Sequence, residues 1–175
     1  MFICAGEIEQ FDFAVPIGIG MVDASMNLTR ICVEKAPESL VFVGTAGSYG
    51  HHHIYDIVEA TTAVNIEVGF FEGKSYTPIP NRIESILDVS RETLVNSSNY
   101  ITTDLTAAQV FMDRGIGLEN MEFYAVLKVA RLFNIPASGI FTVTNYCHEK
   151  AHEEFLSHRR EAMEHLSRYV KVTNA

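Results

Sequence analysis

Met21, Ala24, Leu28 and Ile31 recur at helical spacing, so an amphipathic helix is expected over about 21–35, stopped by Pro37. Residues 40–43 form instead an unbroken apolar run, as expected of a strand buried on both faces. Gly44, Gly47 and Gly50 then read as the loop after it. Val64, Ile66, Val68 and Phe70 alternate with Asn65, Glu67 and Gly69, which is strand period. Further strands are expected at 1–4, 11–19, near 94–95 and at 137–143, with a loop over 72–82. Asp104 caps a short helix over about 105–112, ended by Gly115. A longer helix carries Leu118, Ala125, Val129, Leu132 and Phe133 on one face and ends at Asn134 and Pro136. The last helix, about 148–170, has Phe155, Met163, Leu166 and Val170 on its apolar side. Strands alternating with helices predict a single α/β domain over 1–175, with a central parallel or mixed sheet flanked by helices. Ligands of such sheets bind beyond the carboxyl ends of the strands. That directs attention to the turns at 18–20, 44–50, 99–101, 119–122 and 144–146.

Charge and cysteine usage narrow the partners. A net charge of -9 repels a phosphate backbone, so no nucleic-acid partner is expected. No apolar run approaches the roughly 20 residues of a transmembrane helix, and the first ten residues lack a basic signal-peptide start. Cys4, Cys32 and Cys147 are scattered and odd in number, which predicts a reducing, cytoplasmic setting with no membrane partner.

Three motifs bear chemistry. "GTAGSYG" offers backbone amides plus the hydroxyls of Thr45 and Ser48, but lacks the Lys-Ser/Thr of a P-loop. "ENMEF" places Glu119 and Glu122 three apart, as on one helix face, and a carboxylate accepts two hydroxyls of a vicinal diol well. A solvated helix charge is the alternative. "HEKAH" puts His148 and His152 four apart with Glu149 between, the zinc-protease pattern; the third ligand is open, with His158, Glu164 and His165 downstream but none at metzincin spacing. "HHH" at 51–53 reads as a solvated turn. No metal is expected.

Taken in order, "PIGIGMVDASMN", "LVFVGTAGSYG", "YDIVEA", "NSSNYI", "NMEFYAVLKVARLFNIP" and "IFTVTN" resemble the nucleoside phosphorylase and nucleosidase family, which includes purine nucleoside phosphorylases and methylthioadenosine/S-adenosylhomocysteine nucleosidases. The resemblance implies a phosphorylase/hydrolase-like fold and cleavage of a nucleoside's N-glycosidic bond, without a cofactor, in a homo-oligomer. It implies that Glu122 binds the ribose hydroxyls, with Met121 under the sugar and Thr45 beside it. Tyr100 and Ile101 would line the base pocket, and Asn145 would meet the base and act with Glu122 in catalysis. Gly20, Thr45 and Gly47 would take the acceptor. Three departures stand out. Thr144-Asn145 replaces the Ser-Asp of nucleosidases, which favours a 6-oxopurine or weakens catalysis, since an amide cannot protonate a purine. Phe42 stands where hexameric phosphorylases have a phosphate-binding Arg, leaving residues such as Arg114 as substitutes. The N-terminus is shortened by about one β–α unit, with Gly6, Glu7 and Glu9 in its place. The expectation is therefore a purine nucleoside phosphorylase using phosphate as co-substrate. The alternatives are a hydrolytic nucleosidase and a non-catalytic nucleoside-binding homologue.

Overall fold

The computed structural model describes residues 1–87 and 93–173. Two long strands, β3 (Leu40–Ser48) and β9 (Ala137–Tyr146), run parallel through its centre. β9 pairs on its far edge with the antiparallel β4 (Ile57–Ala60). The other edge of β3 is shared. Its first half pairs with β1 (Phe2–Cys4), which is followed by β2 (Val15–Pro16), both parallel. Its last residues pair antiparallel with β8 (Ile116–Asn120). From β8 the sheet continues through β7 (Leu94–Ser97) and β5 (Thr62–Val64) to the antiparallel β6 (Arg82–Glu84). The sheet is mixed.

Helices flank it. α1 (Gly20–Lys35) packs on α4 (Phe123–Leu132), and α5 (Ala151–Thr173) packs on β9 and β3. Neighbouring side chains of a strand point to opposite faces. Phe42 accordingly joins Phe123 and Phe141 in the core cluster shared with α1 and α4, while Val43 meets Leu166 and Val170 of α5. The Phe123 and Phe141 rings sit edge to face at 5.2 Å, a favoured aromatic geometry. Short α2 (Val68–Phe71) and α3 (Leu105–Met112) complete a smaller cluster around Tyr49 and Phe111. Asp104 caps α3 through the Ala107 amide at 2.8 Å.

Several elements differ from the periodicity. β3 runs on to Ser48, so Gly44 and Gly47 lie in a strand and not in a loop. Residues 116–120 form β8, and α4 starts only at Phe123. Glu119 and Glu122 therefore do not share a helix face. Leu118 fits both periods, and Glu122, with φ -127°, is the non-helical cap residue between the two elements. The alternation over 64–70 breaks after Val64, because the Ile66 amide donates to the Asn96 side chain and leaves the ladder. Val68 to Phe71 then turn into a helix. β2 is only two residues long, and β4 was not expected. α5 begins at Ala151, so His148 precedes it and shares no helix face with His152.

Candidate active site

The carboxyl ends of β1, β3, β8 and β9 converge on a cavity of about 220 Å³. Thr45, Ala46 and Gly47 form one wall, and Glu119 to Glu122 another. Asn145 adds the end of β9, Ala5, Gly6, Ile8 and Glu9 close a third side after β1, and His152 and Phe155 face it from α5.

Each polar side chain there has a reason for its place. β9 has one residue more than β3 at this point: Ala46 pairs with Val143 and Gly47 with Asn145, so Thr144 is bulged. Bulges re-aim side chains and are frequent beside active sites. Here the shift buries Thr144 and brings Asn145 to the cavity. The Thr144 hydroxyl donates to Asn145 Oδ1 at 2.9 Å, and Asn145 Nδ2 donates to the Tyr146 carbonyl at 3.2 Å. That leaves one amide proton on Nδ2 for a ligand. Gly47 lies opposite, where a Cβ would crowd Asn145 Nδ2 at 3.0 Å.

Glu122, 5% exposed, is held at both oxygens. Oε1 accepts from the Gly20 amide at 2.8 Å, and Oε2 from Asn120 Nδ2 at 3.0 Å. The first amides of a helix have no partner within it. α1 has no side-chain cap of its own, and Glu122 satisfies Gly20 while Asn99 Oδ1 accepts from Met21 at 3.0 Å. Burial, with a further push from the Glu9 charge, raises the Glu122 pKa to about 7, although the Gly20 amide opposes the shift.

Glu9 is partly exposed as a residue but turns its carboxyl inward. Oε1 accepts from the Thr45 hydroxyl at 2.6 Å and Oε2 from the Thr45 amide at 3.1 Å. Desolvation raises its pKa, against the lowering effect of those bonds and of Arg159. A carboxyl with a raised pKa, set in a cavity beside a second one, is suited to move protons near neutral pH.

Glu119 has a different task. It accepts from the Tyr49 hydroxyl at 2.7 Å and from the amide and hydroxyl of Thr102. Burial and the Glu119 charge push the Tyr49 phenol well up, so it stays a donor. Glu119 thus pins the loop that carries Tyr100 and Ile101. Both line the mouth of the cavity, and Tyr100 is 81% exposed, so its ring does not close a stacking pocket in this chain alone.

The residues expected from the sequence are distributed unevenly. Asn145, Glu122, Met121, Thr45, Tyr100, Ile101 and Gly47 line the cavity. Gly20 does not; its amide is committed to Glu122. Phe42 is core, and Arg114 lies over the Phe71 ring at 4.2 Å, away from the site. His148 pairs with Glu154 at 3.2 Å, whereas His152 faces the cavity. Among the described residues no group of three metal-ligating side chains occurs, and no helix is long and apolar enough to cross a membrane. The sequence carried no sign of Glu119 as an anchor, and it offered His152 only as part of a zinc pattern and Phe155 only as the apolar side of a helix. The position of Glu9 just beyond a strand's carboxyl end was its available signal.

Residues 89–173 match the family model of the phosphorylase superfamily. No curated protein matches the chain in sequence. In fold it is similar to an aspartate-to-asparagine mutant of the Helicobacter pylori nucleosidase MTAN, solved with 5'-methylthioadenosine in its active site. The two share 16% identity, with 94% of this chain and 82% of that one covered, at a TM-score of 0.78. It is similar too to the Streptococcus pneumoniae MTA/SAH nucleosidase, with 17% identity, 97% and 95% coverage and a TM-score of 0.77. A futalosine hydrolase mutant of H. pylori gives 15%, 97%, 95% and 0.79. The family match and the shared fold agree with the resemblance to the nucleoside phosphorylase and nucleosidase family.

Proposed function

We propose that this chain, whose C-terminal half matches the phosphorylase superfamily, is a hydrolytic purine nucleosidase. One observation carries the choice of acceptor: among the described residues, the cavity is lined by Glu9, Glu119 and Glu122 and by no Lys or Arg. Carboxyl groups offer a phosphate dianion no compensating cation, whereas an ionised carboxylate fits water as a base. This reading departs from the phosphorolysis that Asn145 favoured in the sequence, and the similar structures include hydrolytic enzymes.

Glu122 accepts hydrogen bonds from the ribose hydroxyls, and Met121 packs beside the sugar. Glu9, oriented by Thr45, takes a proton from water as the water oxygen bonds to C1'. The C1'–N9 bond breaks and its electron pair leaves with the purine. Asn145 Nδ2 donates a hydrogen bond to N7, which spreads the purine's negative charge without transferring a proton. The leaving anion takes its proton from solvent. A 6-oxopurine carries negative charge better than adenine, so inosine and guanosine types are favoured.

Base release from inosine, guanosine, adenosine and methylthioadenosine, with and without phosphate, tests this. Release independent of phosphate is expected. Strict dependence on phosphate would restore phosphorolysis. Binding without release from any of the four would leave a nucleoside-binding homologue.

A further inference from the structure

The bulge that delivers Asn145 is held from outside the sheet. A bulged residue disrupts the ladder, and buried peptide groups beside it need partners. α5 supplies two. His158 Nδ1 lies 2.9 Å from the Thr144 carbonyl, and Glu154 Oε2 accepts from the Tyr146 amide at 2.9 Å. One bond grips the peptide before Asn145, the other the peptide after it. A carbonyl only accepts, so Nδ1 carries the proton there, as either the neutral ring or the imidazolium can. Glu154 and His158 are four apart on α5 and so rise from one helix face. Neither lines the cavity.

The His158 ring is itself placed. The Tyr55 ring meets it edge to face, at 5.6 Å and 84°. Tyr55 donates its amide to the Val143 carbonyl at 2.8 Å and its hydroxyl to Glu161 Oε2 at 2.9 Å. It does so with φ 73°, a left-handed backbone that bulky residues seldom adopt. Such strain persists where the surroundings over-determine it, and it clusters at functional sites. We propose, resting on the nucleosidase reading, that His158 is a positioning residue: through the Thr144 carbonyl it fixes the direction of the Asn145 amide toward the purine, with Glu154 gripping the next peptide. The Asn145 side chain turns with the peptides on either side of it. Without His158 the buried Thr144 carbonyl loses a donor, and the peptide is free to rotate toward another.

Two variants separate the hydrogen bond from the packing. His158→Phe keeps a ring beside Tyr55 without the donor, and His158→Asn keeps a donor where Nδ1 was. The first readout is calorimetric binding of 9-methylhypoxanthine against its 7-deaza analogue, in which C–H replaces N7. It reports the bond from Asn145 to N7 and needs no turnover. The native protein should prefer the N7 compound about fivefold, the scale of one neutral hydrogen bond. That preference should fall toward one in His158→Phe and return in His158→Asn. The second readout is kinetics on inosine. His158→Phe should lower kcat about tenfold and leave KM within about twofold, since the sugar is held by Glu122. On an Asn145→Ala background the same change should cost less than about twofold, because the residue it acts through is gone. A native ratio near one, a preference retained in His158→Phe, or a full further loss on the Asn145→Ala background overturns the proposal. If His158→Phe does not fold, Glu154→Ala takes its place, and a retained N7 preference there overturns it too. If inosine is not cleaved at all, the nucleosidase reading fails, and the N7 ratio alone judges His158.

Discussion

Asn145 differs from an aspartate by one group, and that group sets what the site can do to a purine. Its Oδ1 is occupied by the Thr144 hydroxyl, so the amide presents N–H and not oxygen to the ligand. An N–H stabilises a leaving purine but cannot protonate it. Asn145→Asp restores a proton donor at the same place, with Thr144 still able to donate to it. Turnover of 6-aminopurine nucleosides should rise about 10²-fold, at the lower end of what general acid catalysis supplies. Steady-state kinetics on adenosine and inosine measure it, and an unchanged or lower rate on adenosine would show that N7 is not where this residue acts.

At the level of elements, the cavity depends on two strands approaching closely where one of them bulges. Gly47 lies across from Asn145, and a Cβ there would sit 3.0 Å from Asn145 Nδ2 and 3.1 Å from Cys147 Sγ. Gly47→Ala should therefore push the Asn145 amide off its place. A cost of about 1 kcal/mol in stability is expected, as for mild overpacking. The loss in kcat/KM should exceed tenfold, because small misplacements at a reacting centre are expensive. Urea unfolding and kinetics on the same variant separate the two effects. Equal, small losses in both would mean that Asn145 adapts.

This pair of strands also shows what the sequence could and could not disclose. The apolar run from Leu40 and the one from Ala137 announced β3 and β9, and "NMEF" and "TN" pointed to the strand ends where Glu122 and Asn145 lie. The glycines after Val43 read as loop because glycine disfavours strands; only the facing Phe42, Asn145 and Cys147 side chains explain them. Glu9 was hidden for a related reason. Nothing in "GEIEQ" separates one glutamate from another, and its orientation comes from Thr45, 36 residues away. Phe155 matched the apolar side of a helix, so its exposure to the cavity was absorbed into a packing pattern.

For the whole molecule, the site and the fold pull on the same carboxyls in opposite senses. Glu122 ties the start of α1 to the start of α4 across 102 residues, yet it does so as a buried acid with a neighbouring acid, Glu9. Its pKa near 7 in the folded chain exceeds the ordinary 4.5. Between those values the folded protein keeps a proton that the unfolded chain has released. Stability from this group is therefore full below about pH 4.5 and is lost as pH rises to 7, by at most about 3 kcal/mol. Ribose recognition runs the other way, since hydroxyl donors favour the ionised carboxylate. We expect urea unfolding to give a lower stability at pH 8 than at pH 5, a difference that diminishes in Glu122→Gln. Nucleoside affinity, measured by calorimetry, should increase over the same range and be lost in that variant. A pH slope identical in the two proteins would mean that Glu122 titrates as an ordinary acid, and the strain ascribed to its burial would then have to lie elsewhere.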